Sequence, residues 1–267
     1  VPFELWVGAS HGATASVDSA VDAAMPALRI LLVEDSVDNC TITLAYLADT
    51  PYQVEIAANG AIACEMFATT PYDLVLMDRQ MPIMDGLTAT RTIRCWEEAN
   101  HRPHTPIIAL TASALKGDRE KCLAAGCTAF LTKPIKQDVL LRAIADRALP
   151  TPQASREERL QNQEVVLPPN PHIAARIPVF LQNRRRDILS MVEALTRGDL
   201  DTVRRLGHNM RGTGTSYGFQ AITDIGAAIE QEAERLDAVT ARHWIDELAR
   251  YLDKVDPTDE RTVTVLT

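Results

Sequence analysis

The sequence predicts two unlike folds in tandem: an open five-stranded parallel α/β sheet over residues 28–149, then a small all-α antiparallel bundle over 172–257. Three observations carry this expectation. In the first half, short and mostly apolar runs alternate with amphipathic stretches of helix length, the pattern of a parallel sheet covered on both faces. A polar stretch holding Pro150, Pro152, Pro168, Pro169 and Pro171 then breaks the rhythm. Beyond it no strand signal occurs, and apolar residues recur at helical spacing.

Residues 1–27, rich in Ala, Ser and Gly from residue 8 on, read as a tail or linker. The apolar runs then fall at 30–33, 54–57, 74–77, 107–110 and 129–131, and their near-continuous apolar character fits strands buried on both sides. The stretches 37–48, 59–69, 86–99, 117–125 and 136–148 supply the helices between and after them. Residues 150–171 form an interdomain linker, semi-extended where the prolines cluster. In the bundle, Ile188, Val192 and Leu195 lie on one stripe, followed by Leu200, Val203 and Leu206, then Ile222, Ile225 and Ile229, then Trp244, Leu248 and Leu252. Gly198 and Gly218 punctuate the helices, and the tail 258–267 frays.

The formal net charge of -9 argues against a nucleic-acid-binding chain, which shows a basic excess. The five cysteines, at irregular spacing and with no CxxC pair, read as reduced thiols and place the chain in the cytoplasm. No apolar run approaches the ~20 residues of a membrane helix, and the first residues lack the basic start and apolar centre of a signal peptide. Residue 1 is Val, so the expectation is a fragment of a longer protein whose parent could be membrane-anchored.

In an open parallel sheet, ligands bind at the carboxyl ends of the strands. Those ends here carry Glu34 and Asp35, then Asp78, then Thr111, then Lys133. Clustered carboxylates repel one another unless a cation sits among them, and a hard oxygen donor set suits Mg²⁺. A carboxylate beside Mg²⁺ can attack a phosphoryl group, with the lysine and hydroxyl holding the phosphoryl oxygens that face away from the metal. The chemistry therefore points to an aspartyl-phosphate site.

Residues 28–148 resemble a response-regulator receiver domain, through Glu34-Asp35, LVLMDRQMPIMDG at 74–86, ALTAS at 109–113 and FLTKP at 130–134. The resemblance implies a flavodoxin-like sheet with Asp78 as phosphoacceptor. It implies Mg²⁺ held by Asp35, Asp78 and the backbone carbonyl of Gln80, with Glu34 acting mainly through water. It further implies Thr111 and Phe130 as a switch pair, Lys133 as the phosphate contact and a cis peptide bond before Pro134. Asp85-Gly86 reads as a turn and helix start.

In the second domain, His208 sits in VRRLGHNMRGTGTSYGF. If that stretch is helical, Arg211, Gly212 and Thr215 share its face. Gly207, Gly212 and Gly214 then need a reason, since glycine weakens a helix by about 1 kcal/mol relative to Ala; close approach of a partner's pocket to the histidine is one. Arg211 can hold a phosphoryl group by charge-assisted hydrogen bonds. The segment is similar to histidine-phosphotransfer domains, through His208, Arg211, Gly212 and Gly218, with Arg211 standing where lysine is commoner. The resemblance implies a four-helix bundle with His208 exposed on one helix. His101, His104, His172 and His243 read as loop, surface or cap residues.

Together these features lead to the expectation of a phosphorelay fragment that takes a phosphoryl group from a histidine kinase domain and exchanges it with a downstream receiver. The alternative is a receiver acting as a phosphorylation-driven binding switch, with the bundle only docking or dimerising. A phosphohydrolase with an aspartyl nucleophile would need a second Asp where Gln80 stands. The fragment carries no phosphate-binding loop or kinase asparagine box of its own, and FELWV at 3–7 faintly resembles the closing strand of a histidine-kinase ATP domain, which favours a hybrid sensor kinase as parent.

Overall fold

The computed structural model describes residues 26–112, 116–148 and 171–255. The expected N-terminal and C-terminal tails, the FELWV stretch and nearly all of the proline-rich linker lie outside the described residues.

The first half runs β1 (Arg29–Val33), α1 (Val37–Leu47), β2 (Gln53–Ala57), α2 (Gly60–Thr69), β3 (Leu74–Asp78), α3 (Gly86–Ala99), β4 (Ile107–Thr111), α4 (Lys116–Ala125), β5 (Ala129–Thr132) and α5 (Gln137–Ala148). All strand pairings are parallel, in the order β2-β1-β3-β4-β5. Successive side chains along a strand point to opposite faces. Ile30, Leu32, Leu74 and Leu76 therefore enter one apolar layer, and Leu31, Val33, Val75 and Met77 the other. The chain leaves β1 in one direction and β3 in the other, which opens a crevice at their carboxyl ends.

The strands outrun their apolar runs. The β3 ladder extends to Asp78, opposite Leu110, and the β4 ladder to Thr111, opposite Thr132. Both polar residues are thus fixed by backbone pairing at the edge of the crevice. Side-chain caps set the helix starts: Ser36 accepts from the Asn39 amide, Asn59 from the Ala61 and Ile62 amides, and Asp85 from the Thr88 amide at 2.8 Å. A Cβ on Gly86 would lie 2.0 Å from the Asp78 carbonyl oxygen, so only glycine lets α3 start this close to β3.

The second half comprises a short α6 (Pro171–Ala174), then α7 (Ile177–Thr196), α8 (Leu200–Thr213), a 3-10 turn at Gly214–Tyr217, α9 (Gln220–Glu234) and α10 (Ala238–Lys254). Helices α7 to α10 form the bundle around Phe180, Met191, Val203, Met210, Ile229 and Leu248. Phe180 stacks on Tyr217 at 4.0 Å between ring centroids. Gly198 and Gly218, which punctuate the helices as expected, have φ of +71° and +86° and make left-handed turns.

Three expectations for this region need correction. α8 ends at Thr213, so Thr215 does not share the face of His208; it sits in the 3-10 turn and bonds to Thr223 and Gln220. Gly207 and Gly214 do not open His208 to a partner. A Cβ on Gly207 would lie 2.7 Å from the Glu230 amide nitrogen, and one on Gly214 would lie 2.6 Å from that of Thr223, so Gly207 serves the tight contact of α8 with α9 and Gly214 that of the 3-10 turn with α9. Third, His208 is not exposed but 4% accessible. The bundle lies against the sheet domain, with α8 packed on α1, and one apolar cluster joins Tyr46 and Leu47 of α1 to Ile173 and Ile177.

Candidate functional site

Glu34 and Asp35 follow β1, and Asp78 ends β3, so the sheet topology brings the three carboxylates together. One oxygen from each lies within 4.8 Å of the others. Lys133, after β5, reaches across: its Nζ donates to Glu34 Oε2 at 2.7 Å and forms an ion pair with Asp78 Oδ2 at 3.1 Å. The Lys133–Pro134 peptide is cis. Thr111 is buried beside the pocket, and its carbonyl accepts from the Lys133 amide at 2.7 Å. Phe130 is half-buried on β5, with the Arg119 guanidinium 5.6 Å above its ring.

The three carboxylates are not equivalent. Glu34 is fully engaged, since Oε1 accepts from Asn39 Nδ2 at 2.8 Å and from the Ser36 amide while Oε2 takes Lys133. Asp35 and Asp78 are also shielded from solvent, yet none of their four carboxylate oxygens accepts a well-aligned hydrogen bond. Burial and the neighbouring Asp78 push the Glu34 carboxyl above its usual range, and burial and Glu34 do the same to Asp35. Burial works against the Lys133 ammonium, but Asp78 and Glu34 outweigh it and hold the amine above its ordinary value. Buried carboxylates left short of donors call for a cation.

His208 lies on α8. It lines a cleft of about 560 Å³ together with Arg79, Gln80, Asp85 and Arg205. Its Nδ1 lies 2.8 Å from Glu230 Oε1, and Arg211 Nη1 donates to Glu230 Oε2 at 3.1 Å. Burial pushes the Glu230 carboxyl up, but the contacts with His208 and Arg211 outweigh it and leave it below its usual range. The other Arg211 nitrogen, Nη2, donates to the Ala112 carbonyl at 2.9 Å, beside Thr111. Gly212, alone of the three glycines near His208, faces the pocket: a Cβ there would lie 3.5 Å from Lys133 and 3.6 Å from Asn39. The remaining histidines stand apart from the site, His101, His104, His172 and His243 all being exposed.

Sequence reasoning missed Glu230. Its signal was there: Gly226, Ile229 and Ala233 mark the buried stripe of α9, and Glu230 falls on that stripe, where an acid needs a partner. It also missed Asp38, Asn183 and Arg184, which meet where α7 crosses the start of α1.

Comparison with known proteins finds a family for each half of the chain. Residues 30–145 match the response regulator receiver domain model, and residues 177–256 match the Hpt domain model. The Escherichia coli signal transduction histidine-protein kinase BarA is 30% identical over 86% of this chain and 26% of its own length. The sensor histidine kinase GacS of Pseudomonas protegens is 39% identical over 43% of this chain and 13% of its own. The chain thus spans about a quarter or less of these relatives. Among solved structures, the receiver domain of a Pseudomonas aeruginosa sensor histidine kinase, described with magnesium in its active-site cleft, is 42% identical over 46% of this chain and 98% of its own, with a TM-score of 0.42. No described helix is long and apolar enough to cross a membrane. Each half of the chain thus has its own family, and the protein joins a response regulator receiver domain to an Hpt domain, the modules of two-component phosphorelay signalling.

Proposed function

We propose that Asp78 and His208 are the two phosphoryl stations of this relay, and that they exchange the group with each other. One observation carries the reading most directly: His208, with Nδ1 committed to Glu230, lines the same cleft as Arg79 and Gln80, which follow Asp78 in the chain.

In the first step an Asp78 carboxylate oxygen attacks the phosphorus of a phosphohistidine on a kinase domain. The new P–O bond forms as the P–N bond breaks, and the donor imidazole leaves with its electron pair. Lys133 is placed to hold a phosphoryl oxygen, Thr111 holds another, and Thr111 with Phe130 reports the change to the surface. In the second step the free Nε2 of His208 attacks. A P–N bond forms as the P–O bond to Asp78 breaks, and the carboxylate regains its charge. Glu230 keeps the proton on Nδ1, so that Nε2 carries the lone pair. Arg211, held between Glu230 and the Ala112 carbonyl, supplies positive charge beside the moving group.

The donor set fits Mg²⁺. Asp35 and Asp78 have unmet acceptor atoms and would bind it directly with the Gln80 carbonyl, whereas Glu34, already saturated, would act through water. When bound, the ion offsets charge on the phosphoryl oxygens. Upstream the partner is a histidine kinase domain, in the same polypeptide if the parent is a hybrid kinase; downstream it is a further receiver, and the relay operates in the cytoplasm.

The test is the chemical stability of label introduced by a phosphorylated kinase domain with Mg²⁺. Base-labile phosphate that vanishes in Asp78→Asn, together with acid-labile phosphate that vanishes in His208→Gln, is the expected result. Base-labile phosphate alone would make the bundle a docking module and overturn the relay through His208.

A further inference from the structure

Two charged residues at the domain contact take no part in the phosphoryl chemistry, yet both are almost completely buried. Asp38, in the first turn of α1, is 6% accessible, and Arg184, on α7, is 4%. Each belongs to a different domain. The Asp38 carboxylate is used on both oxygens by α7: Oδ2 takes Arg184 Nη2, and Oδ1 accepts from Asn183 Nδ2 at 3.1 Å. The guanidinium is held in place from its own side as well, by Asp187 at 2.9 Å one helical turn on and by the Phe180 ring at 5.0 Å. Arg184 Nε and Nη1 find no hydrogen-bond partner, so the hydrogen bond of Arg184 across the interface is the one from Nη2 to Asp38.

Charged side chains are almost never buried this deeply unless paired. A matched buried pair contributes modestly against an apolar equivalent, but a mismatch is severe, because the remaining charge is left desolvated and unpaired. Such a pair discriminates between partners more than it tightens binding. Elsewhere the contact is less exacting: Arg205 pairs with Asp35 only at 3.9 Å and stays 42% exposed, Tyr46 and Leu47 meet Ile173 and Ile177 through apolar packing, Arg211 bonds to a backbone carbonyl, and Gly212 offers a flat surface to Lys133 and Asn39.

We infer that Asp38 and Arg184 are a specificity-determining pair, through which this bundle selects its own receiver over receivers lacking a carboxylate at that place on α1. The inference rests on the relay reading for its biological meaning, but it concerns docking. Arg184 is preset by Asp187 and Phe180 before the receiver arrives, so the bundle presents a fixed cation to α1. A receiver with an apolar or basic residue there would dock about 10²-fold more weakly. The closed arrangement also occupies the face that any downstream receiver must use to reach His208, so the chain has to open before it can pass a phosphoryl group onward.

The test uses the intact chain in four forms: wild type, Asp38→Arg, Arg184→Glu and the double reversal. Small-angle scattering reads whether the domains are closed, and loading of Asp78 from acetyl phosphate, a small acyl phosphate, followed by the rise of acid-labile phosphate, reads transfer. Each single reversal is expected to enlarge the radius of gyration and slow transfer to His208, with loading of Asp78 unchanged in Arg184→Glu. The double reversal is expected to close again and recover most of the rate. If Arg184→Glu disrupts the bundle, Asp38→Arg carries the same charge conflict from the receiver side. Single reversals that stay closed and transfer at the wild-type rate, or a double reversal as open as the singles, overturn the pairing. A wild-type chain that never forms acid-labile phosphate overturns the relay reading instead, and the scattering of the four forms still decides the pair.

Discussion

The receiver pocket and the bundle histidine prepare a nucleophile in opposite ways. In the receiver three carboxylates share one lysine, and Asp35 and Asp78 are left with unmet acceptor atoms. The pocket is incomplete as a set of protein groups and calls for a cation. In the bundle one imidazole is already satisfied: Glu230 takes Nδ1, Arg211 balances Glu230, and a single ring nitrogen is left over. On the proposed reading the first site works with an added ion and the second with a proton held on Nδ1. The same difference shows in charge placement, since burial and mutual repulsion raise the carboxyl groups of Glu34 and Asp35 whereas partners hold Glu230 low.

The largest effect expected from disturbing this contrast is in the bundle. Glu230→Gln keeps the shape and removes the charge that orients His208, and transfer to His208 should fall by about 10- to 100-fold. Unchanged transfer would reduce Glu230 to a packing role. The same substitution carries a pH signature. A carboxyl held low in the folded state stabilises above its unfolded value of 4.5, and that contribution is lost as pH falls through the lower folded value. Wild type should therefore lose more stability than Glu230→Gln below pH 4.5, read as urea midpoints.

In the receiver, charge removal should have the opposite sign. Asp35→Asn relieves a buried carboxylate without well-aligned donors, so it should raise stability without metal by about 1–2 kcal/mol. It should also abolish the rise in melting temperature that Mg²⁺ gives wild type. A variant less stable than wild type in metal-free buffer would contradict the account of the pocket.

Smaller effects separate the glycines. Gly207→Ala drives a methyl against the α9 backbone and should cost about 1–3 kcal/mol. Gly212→Ala has ordinary contact distances and should stabilise α8 by up to about 1 kcal/mol, with docking retained. Thermal unfolding of both variants checks the pair; equal losses would mean that both glycines face the same constraint.

The receiver was legible almost to the residue because its signals are local. Apolar runs mark buried strands, and the strand-to-loop step places Glu34, Asp35, Asp78, Thr111 and Lys133 at one sheet edge whatever the fine packing. The bundle was legible in its helices but less so in its site. Helical spacing placed His208, Arg211 and Gly212, but Glu230 meets His208 only through the crossing of α8 and α9, which Gly207 and Gly226 set. The burial of His208 could not be read from α8 either, because it depends on how α8 packs with α9 and on what lines the cleft beside it. Asp38 and Arg184 lie 146 positions apart in sequence, and each alone reads as a solvated surface charge.

The central claim is that Asp78 and His208 exchange a phosphoryl group within one chain, and its most direct test is a dilution series. Asp78 is loaded from acetyl phosphate, and the conversion of base-labile to acid-labile phosphate is followed at falling chain concentration. The account predicts a first-order rate independent of concentration, with little transfer when Asp78→Asn chains are mixed with His208→Gln chains. A rate that rises in proportion to concentration, matched by the mixed chains, would show that transfer runs between molecules and contradict it.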